Sequence, residues 1–133
     1  MRIAINGFGR IGRSFFRQAF NNPEIEIIAI NDLGDLADLA YLLRRDTVYG
    51  EYEKTVEIRN NQLIVDSRNI FVFSEKDPAK LPWKDLNIDI VIESTGVFNT
   101  SQKAKAHLDA GAKRVVITAP ADVNTPHILP GSN

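Results

Sequence analysis

The sequence predicts an α/β fold: a mostly parallel sheet with helices on both faces and a small antiparallel excursion. Three observations predict it. Short, β-branched runs at 2–6, 25–30, 88–92 and 114–117 read as buried strands. Amphipathic helical stretches alternate with most of them. An alternating stretch around Asn60-Asn61 interrupts the series with a hairpin signature. The resulting order, β-α-β-α, hairpin, β, loop, β-α-β, is that of a sheet covered on both sides.

Each element has its own justification. Arg2-Ile3-Ala4-Ile5-Asn6 is short, apolar and followed at once by glycine, as a buried strand would be. After the glycine run 7–12, Ile11, Phe15 and Ala19 recur at helical spacing, as do Phe16 and Phe20, which makes these phenylalanines core. Pro23 stops that helix near 20. Residues 25–30 are almost continuously apolar, as suits a parallel strand buried on both faces. Asp35 is placed to cap a second helix with Leu36, Leu39, Ala40 and Leu43 on one side. Asp38 near its start and Arg44 and Arg45 near its end complement the helix dipole.

The middle of the chain changes character. Val56 and Ile58 share one face, Asn60-Asn61 offers a two-residue turn, and 62–65 pairs back, with 69–73 as a further strand. Residues 74–85 read as a loop anchored by Trp83. The strand 88–92 ends at Ser94-Thr95-Gly96. A helix from about 100 to 110 stops at Gly111, and the strand 114–117 ends at Thr118-Ala119-Pro120. Beyond Pro120 the pattern dissolves into an expected irregular tail that reads as a fragment boundary.

Composition narrows the function. With 16 basic and 17 acidic side chains there is no cationic excess to neutralise nucleic-acid phosphates, so a nucleic-acid partner is not expected. No apolar run approaches the ~20 residues of a membrane helix, and no membrane partner is expected. The absence of cysteine removes disulfides, thiolate metal sites and cysteine nucleophiles from these 133 residues. His107 and His127 lack metal-ligand spacing and show no acid/base partner in the sequence. The chain reads as soluble and cytoplasmic.

The strongest chemical signal is Gly7-x-Gly9-x-x-Gly12, set between a predicted strand and a predicted helix. Gly7 allows a tight turn. Gly9 lets the backbone approach a pyrophosphate, and Gly12 lets helix and strand pack closely. Free N–H groups at the helix start then face the phosphates, and Arg10 adds charge beside them. Asp32 follows Gly12 by about 20 residues, at the end of the second strand, where a carboxylate accepts both ribose hydroxyls of an adenosine. A 2′-phosphate would meet like charge there, so NAD is favoured over NADP. Ser94-Thr95-Gly96 and Thr118-Ala119 lie at carboxyl ends of predicted parallel strands, the edge at which open α/β sheets bind ligands.

Ile5-Asn6-Gly7-Phe8-Gly9-Arg10-Ile11-Gly12-Arg13 resembles the opening signature of phosphorylating glyceraldehyde-3-phosphate dehydrogenases. Asn31-Asp32-Leu33, Lys76-Asp77-Pro78, Pro82-Trp83, Glu93-Ser94-Thr95-Gly96-Val97-Phe98, His107-Leu108 and Thr118-Ala119-Pro120 fall in that family's order. Erythrose-4-phosphate dehydrogenases share the glycine signature, but typically carry glutamate at the position of Asp32 and Asp-Cys-Thr-Gly at that of Glu93-Ser94-Thr95-Gly96. Tyr49, where the family often has histidine, and the segment after 122 depart from the pattern.

The resemblance implies a Rossmann-type domain, residues 1–133, that binds NAD and precedes a separate catalytic domain of the same chain. It implies that the Arg10-Ile11 backbone holds the pyrophosphate, that Asp32 holds the adenine ribose and that Lys76 lies near the adenine. Ser94, Thr95, Gly96 and Thr118 would line the groove toward the nicotinamide. The candidate cofactor-binding set is completed by Asn6, Gly7, Phe8, Gly9, Gly12, Asn31, Leu33, Phe98 and Ala119. No catalytic residue or metal ligand is assigned. The family's nucleophilic cysteine and general-base histidine would lie beyond Asn133. The expected full enzyme is a homotetramer. These 133 residues alone are expected to be monomeric or weakly dimeric and inactive.

Overall fold

A computed structural model describes residues 1–46, 50–96, 100–119 and 123–129. In chain order the elements are β1 (Arg2–Asn6), α1 (Arg10–Ala19), β2 (Glu26–Asn31), α2 (Leu36–Arg44), β3 (Arg45–Asp46), β4 (Gly50–Glu51) and β5 (Val56–Arg59). They continue with β6 (Gln62–Val65), β7 (Arg68–Phe73), a 3-10 turn (Pro78–Lys80), β8 (Ile90–Glu93), α3 (Thr100–Asp109), β9 (Arg114–Ala119) and β10 (Val123–Leu129). Eight strands form one sheet in the order β10-β9-β8-β1-β2-β7-β6-β5. The five from β9 to β7 are parallel, and antiparallel pairs extend both ends. Among the described residues no helix is long and apolar enough to cross a membrane.

The apolar periodicity has the predicted consequence. Phe16 of α1, Phe20 capping its end, and Leu39, Ala40 and Leu43 of α2 pack with Ile3, Ile5, Ile27 and Ile30 on one face of the sheet. Phe16 lies edge-on to Phe8 at 5.7 Å and stacked on Phe20 at 5.2 Å between ring centroids. Burying each such ring contributes roughly 2–3 kcal/mol. On the other face Ala4, Ile28, Ala29 and Val91 pack with Trp83 and Ile88. On that same face α3 brings Ala104 onto Val115 and Ile117 of β9. Helices therefore cover both faces, as predicted.

The excursion is a two-hairpin meander. Asn60 and Asn61 take φ of 53° and 60°, the left-handed values of the predicted turn. A second such turn, at Asp66 and Ser67 (φ 50° and 69°), joins β6 to β7. β7 closes the meander at its start and adds the next parallel strand at its end, where Ala29, Ile30 and Asn31 pair with Phe71, Val72 and Phe73. The excursion is thus continuous with the main sheet.

Two expectations need correction. The tail after Pro120 is not wholly irregular, because Val123–Leu129 forms β10 on β9. Its proline and polar residues hid the strand, yet an edge strand with a register shift tolerates proline. The β3–β4 pairing also has no counterpart in the sequence reading. It is held from outside, by the Arg17 guanidinium donating to the carbonyls of Leu43 (2.6 Å) and Gly50 (3.0 Å).

The helix stop at Gly111 reaches further than its own turn. Gly111 has φ +112°, and a Cβ there would lie 2.5–2.7 Å from the Lys84 Cβ, Cα and backbone N. The Lys84 N–H also donates to the Ala110 carbonyl at 3.0 Å. The bare end of α3 thereby docks the segment carrying Trp83. Gly111→Ala is expected to destabilise the fold by about 2 kcal/mol or more, through steric overlap and strained backbone. Urea unfolding measures this, and an unchanged midpoint would remove the docking role.

Candidate functional site

The central strand β1 lies between β2, reached by one crossover, and β8, reached by another on the opposite side. The chain therefore parts above the carboxyl end of β1, the place where open α/β sheets form a ligand crevice. A cleft of about 330 Å³ lies there.

The glycine turn is pinned from both sides. The Gly7 N–H donates to the Asn31 carbonyl of β2 at 2.8 Å, and the Ser94 hydroxyl donates to the Gly7 carbonyl at 2.6 Å. Gly7 has φ +91°, and a Cβ on it would stand 2.7 Å from the Thr95 nitrogen. A Cβ on Gly12 would run into the Gly7 carbonyl. A Cβ on Gly9 would meet no atom within 4 Å. Gly7 and Gly12 are thus required by packing, whereas Gly9 leaves space on the cleft side, as an approaching diphosphate needs. Gly9 caps α1 without a side-chain hydrogen bond, and the first turn carries no acidic residue. The N–H groups of that turn have no acceptor within the helix and favour an anion.

Asp32 is tied to the same turn. One carboxylate oxygen accepts the Phe8 N–H at 2.6 Å and the other accepts the Gly34 N–H at 2.8 Å. Each carboxylate oxygen has two acceptor positions, so lone pairs remain for two ribose hydroxyls. Leu33, 60% exposed, stands on one side of the cleft, and Lys76 and Pro78 line it as well.

Beneath the cleft runs a buried polar chain. Asn31 exchanges hydrogen bonds with the backbone of Glu75, and its amide donates to the Asn6 side-chain oxygen at 2.8 Å. The Asn6 amide donates to Glu93 Oε1 at 2.7 Å. Glu93 Oε2 accepts the Thr95 hydroxyl at 2.6 Å and the Thr95 N–H at 3.1 Å. His107 Nε2 lies 2.9 Å from Glu93 Oε1, and the Trp83 indole N–H donates to His107 Nδ1 at 2.9 Å. An indole nitrogen only donates. Nδ1 is therefore the acceptor, the imidazole proton sits on Nε2, and His107 donates it to Glu93. The sequence reading missed this pairing. Its available signal was a carboxylate closing an apolar strand, together with a histidine three residues after Ala104 on the buried face of a helix.

The candidate residues divide by position. Asn6, Gly7, Gly9, Asn31, Asp32, Leu33, Lys76, Ser94 and Thr95 come together on the cleft. Phe8 is fully buried, and its ring belongs to the core, so only its backbone serves the turn. Gly12 is buried under the turn, while Arg10 and Ile11 open α1, with Arg10 exposed. Thr118 donates to the Glu93 carbonyl at 3.1 Å, tying β9 to β8. Gly96 is exposed with φ +70°, Ala119 ends β9, and Phe98 lies outside the described residues. Lys103 and Glu75 also line the cleft and were not expected there.

Comparison with known proteins agrees with this geometry. The family model described as glyceraldehyde 3-phosphate dehydrogenase, NAD binding domain, matches residues 1–101. The chain is 54% identical to the glyceraldehyde-3-phosphate dehydrogenase of Thermotoga maritima over 134 residues, covering 99% of this chain and 40% of that protein. It is 54% identical to that of Mycoplasma pneumoniae over 125 residues, covering 94% and 37%. With glyceraldehyde-3-phosphate dehydrogenase A of Escherichia coli K12 the identity is 47% over 133 residues, covering 100% and 40%. The chain spans about two fifths of the length of these curated relatives.

Glu93 makes the site's support sensitive to acid. Burial pushes its carboxyl up, but hydrogen bonds from His107, Thr95 and Asn6 outweigh that and hold it at about 2 instead of the ordinary 4.5. A carboxyl more acidic in the folded state contributes stability above the unfolded value and loses it as pH falls through the folded one. The contribution is on the order of 3 kcal/mol, present near neutrality and lost between about pH 5 and pH 2. Glu93→Gln should lower stability at pH 7 and flatten this acid limb, as read by denaturant midpoints at a series of pH values. A variant that kept the wild-type slope would show that the limb belongs to other carboxyls.

Proposed function

Because the chain belongs to the glyceraldehyde-3-phosphate dehydrogenase family, as its NAD-binding domain, we propose that it serves an enzyme that oxidises and phosphorylates glyceraldehyde 3-phosphate with NAD. One observation carries the cofactor part of this reading. The glycine turn and the ribose carboxylate are a single unit, joined by the 2.6 Å hydrogen bond from the Phe8 N–H to Asp32. The N–H groups opening α1 would hold the diphosphate and Asp32 the adenine ribose. Leu33 and Lys76 would flank the adenine, and the ends of β8 and β9 would border the nicotinamide side. Bound there, NAD supplies a hydride acceptor.

The proposed chemistry adds a thiolate to the aldehyde, passes hydride to NAD, and releases the acyl group from the thioester to phosphate. The 133 residues contain no cysteine. We therefore assign the thiolate and its general base to a part of the protein outside them. In the same reading the whole enzyme is a cytoplasmic homotetramer, and these residues alone are monomeric or weakly dimeric.

Two outcomes test this reading. Calorimetric titration should show NAD binding well above NADP, because a 2′-phosphate would face the Asp32 carboxylate. Asp32→Ala should weaken NAD by roughly tenfold or more and narrow the gap to NADP. Equal binding of the two dinucleotides by the wild type would refute the ribose assignment. Secondly, the 133 residues alone should reduce no NAD with glyceraldehyde 3-phosphate and phosphate. Turnover above a heat-inactivated control would place the nucleophile inside them.

A further inference from the structure

Thr95 lines the cleft, yet its N–H and its hydroxyl hydrogen are both directed to the buried carboxylate of Glu93. Its N–H and its hydroxyl both donate to Glu93 Oε2, at 3.1 and 2.6 Å. Lys103 Nζ lies 3.3 Å from the same hydroxyl oxygen. An ionised carboxylate only accepts and an ammonium only donates. The Thr95 hydroxyl hydrogen must therefore point to Glu93, and its oxygen must accept from Lys103. The half-buried Lys103 has three N–H groups, and among the described residues it makes this one hydrogen bond and no ion pair.

Lys103 also sits where charge is needed. It lines the cleft together with Gly9, whose Cβ position is open. Among the described residues the charges lining the cleft are Asp32, Glu75, Lys76 and Lys103, and the Glu93 carboxylate accepts the hydroxyl of Thr95 behind it. An anion entering here would feel that carboxylate's charge, and the Lys103 ammonium lies at the cleft lining on the same Thr95 hydroxyl that donates to Glu93. Lys103 stands one helical turn before His107 on α3, so one helix face carries both the group that orients Glu93 and the group that screens it.

We propose that Lys103 is a ligand-binding residue that presents its ammonium to the diphosphate of the bound dinucleotide, and that Thr95 positions it. This rests on the dinucleotide reading above and adds to it a residue that the glycine signature does not include.

The test is calorimetric titration of the wild type, Lys103→Met, Lys103→Gln and Lys103→Arg with adenosine, ADP and NAD at two salt concentrations. In the Met and Gln variants ADP and NAD should bind about tenfold more weakly, and less steeply with salt, while adenosine binding is unchanged. Lys103→Arg should recover most of the loss. Undiminished ADP and NAD binding in both neutral variants would overturn the assignment of Lys103. A parallel loss of adenosine binding would also overturn it, by showing that the lysine supports the fold of the cleft. A wild type that binds adenosine but neither diphosphate would overturn the dinucleotide reading itself, and Lys103's role with it.

Discussion

The buried carboxylate of Glu93 is the constraint on which the rest of the site depends. Its residue is 1% exposed, and a charge so placed is tolerated only when its lone pairs are filled by good donors. Among the described residues four donors reach it: the Asn6 amide from β1, the Thr95 N–H and hydroxyl from beyond β8, and His107 from α3. The Trp83 indole then fixes which imidazole nitrogen carries the proton. The two strand ends, one helix and one loop are aligned because each contributes to the hydrogen bonding that stabilises one buried charge. Deleting any partner leaves that charge undersatisfied, at a cost of roughly 1–3 kcal/mol for a single lost hydrogen bond and more where the charge is stranded.

This arrangement separates the groups that hold the cleft from the groups that face it. Asn6, Asn31 and Ser94 use their side chains inward, on one another and on backbone carbonyls. Facing the cleft instead are the space above Gly9, the remaining lone pairs of Asp32, and the side chains of Leu33, Lys76 and Lys103. Asp32 belongs to both groups, since the oxygens that would take ribose hydroxyls already hold the Phe8 and Gly34 N–H groups. Such double use ties the shape of the glycine turn to the orientation of the Asp32 carboxylate.

How much of this was legible in the sequence follows from distance along the chain. The glycine turn, its helix and Asp32 lie within the first 32 residues and follow from local spacing, and the cleft they form is where the spacing placed it. The buried parallel strands were legible because both faces are covered, which leaves continuous apolar runs. The Asp66-Ser67 turn was not, since neither residue is the glycine or asparagine that usually marks left-handed backbone. β10 was hidden by a proline that only an edge position allows, and β3 with β4 by their shortness. The Glu93–His107 pair spans 14 residues and the Asn6–Glu93 pair 87, and no periodicity within either segment implies them.

The topology explains why a site so dependent on long-range pairs still forms at one place. β1 is flanked by β2 and β8, and the parallel registers set Asn6 opposite both Asn31 and Glu93. Three polar residues that close three apolar strands are thereby brought side by side at the same height in the sheet. The hydrophobic runs set that height, because slipping a strand by one residue would turn its apolar side chains to the wrong face. Once the runs are in register, the terminal asparagines and the glutamate have no water to turn to and must satisfy one another. The glycine turn, hydrogen-bonded to Asn31 on one side and Ser94 on the other, is then held directly above them. The apolar pattern of the strands thus places the polar site, and the polar site fixes the loop that would receive the cofactor.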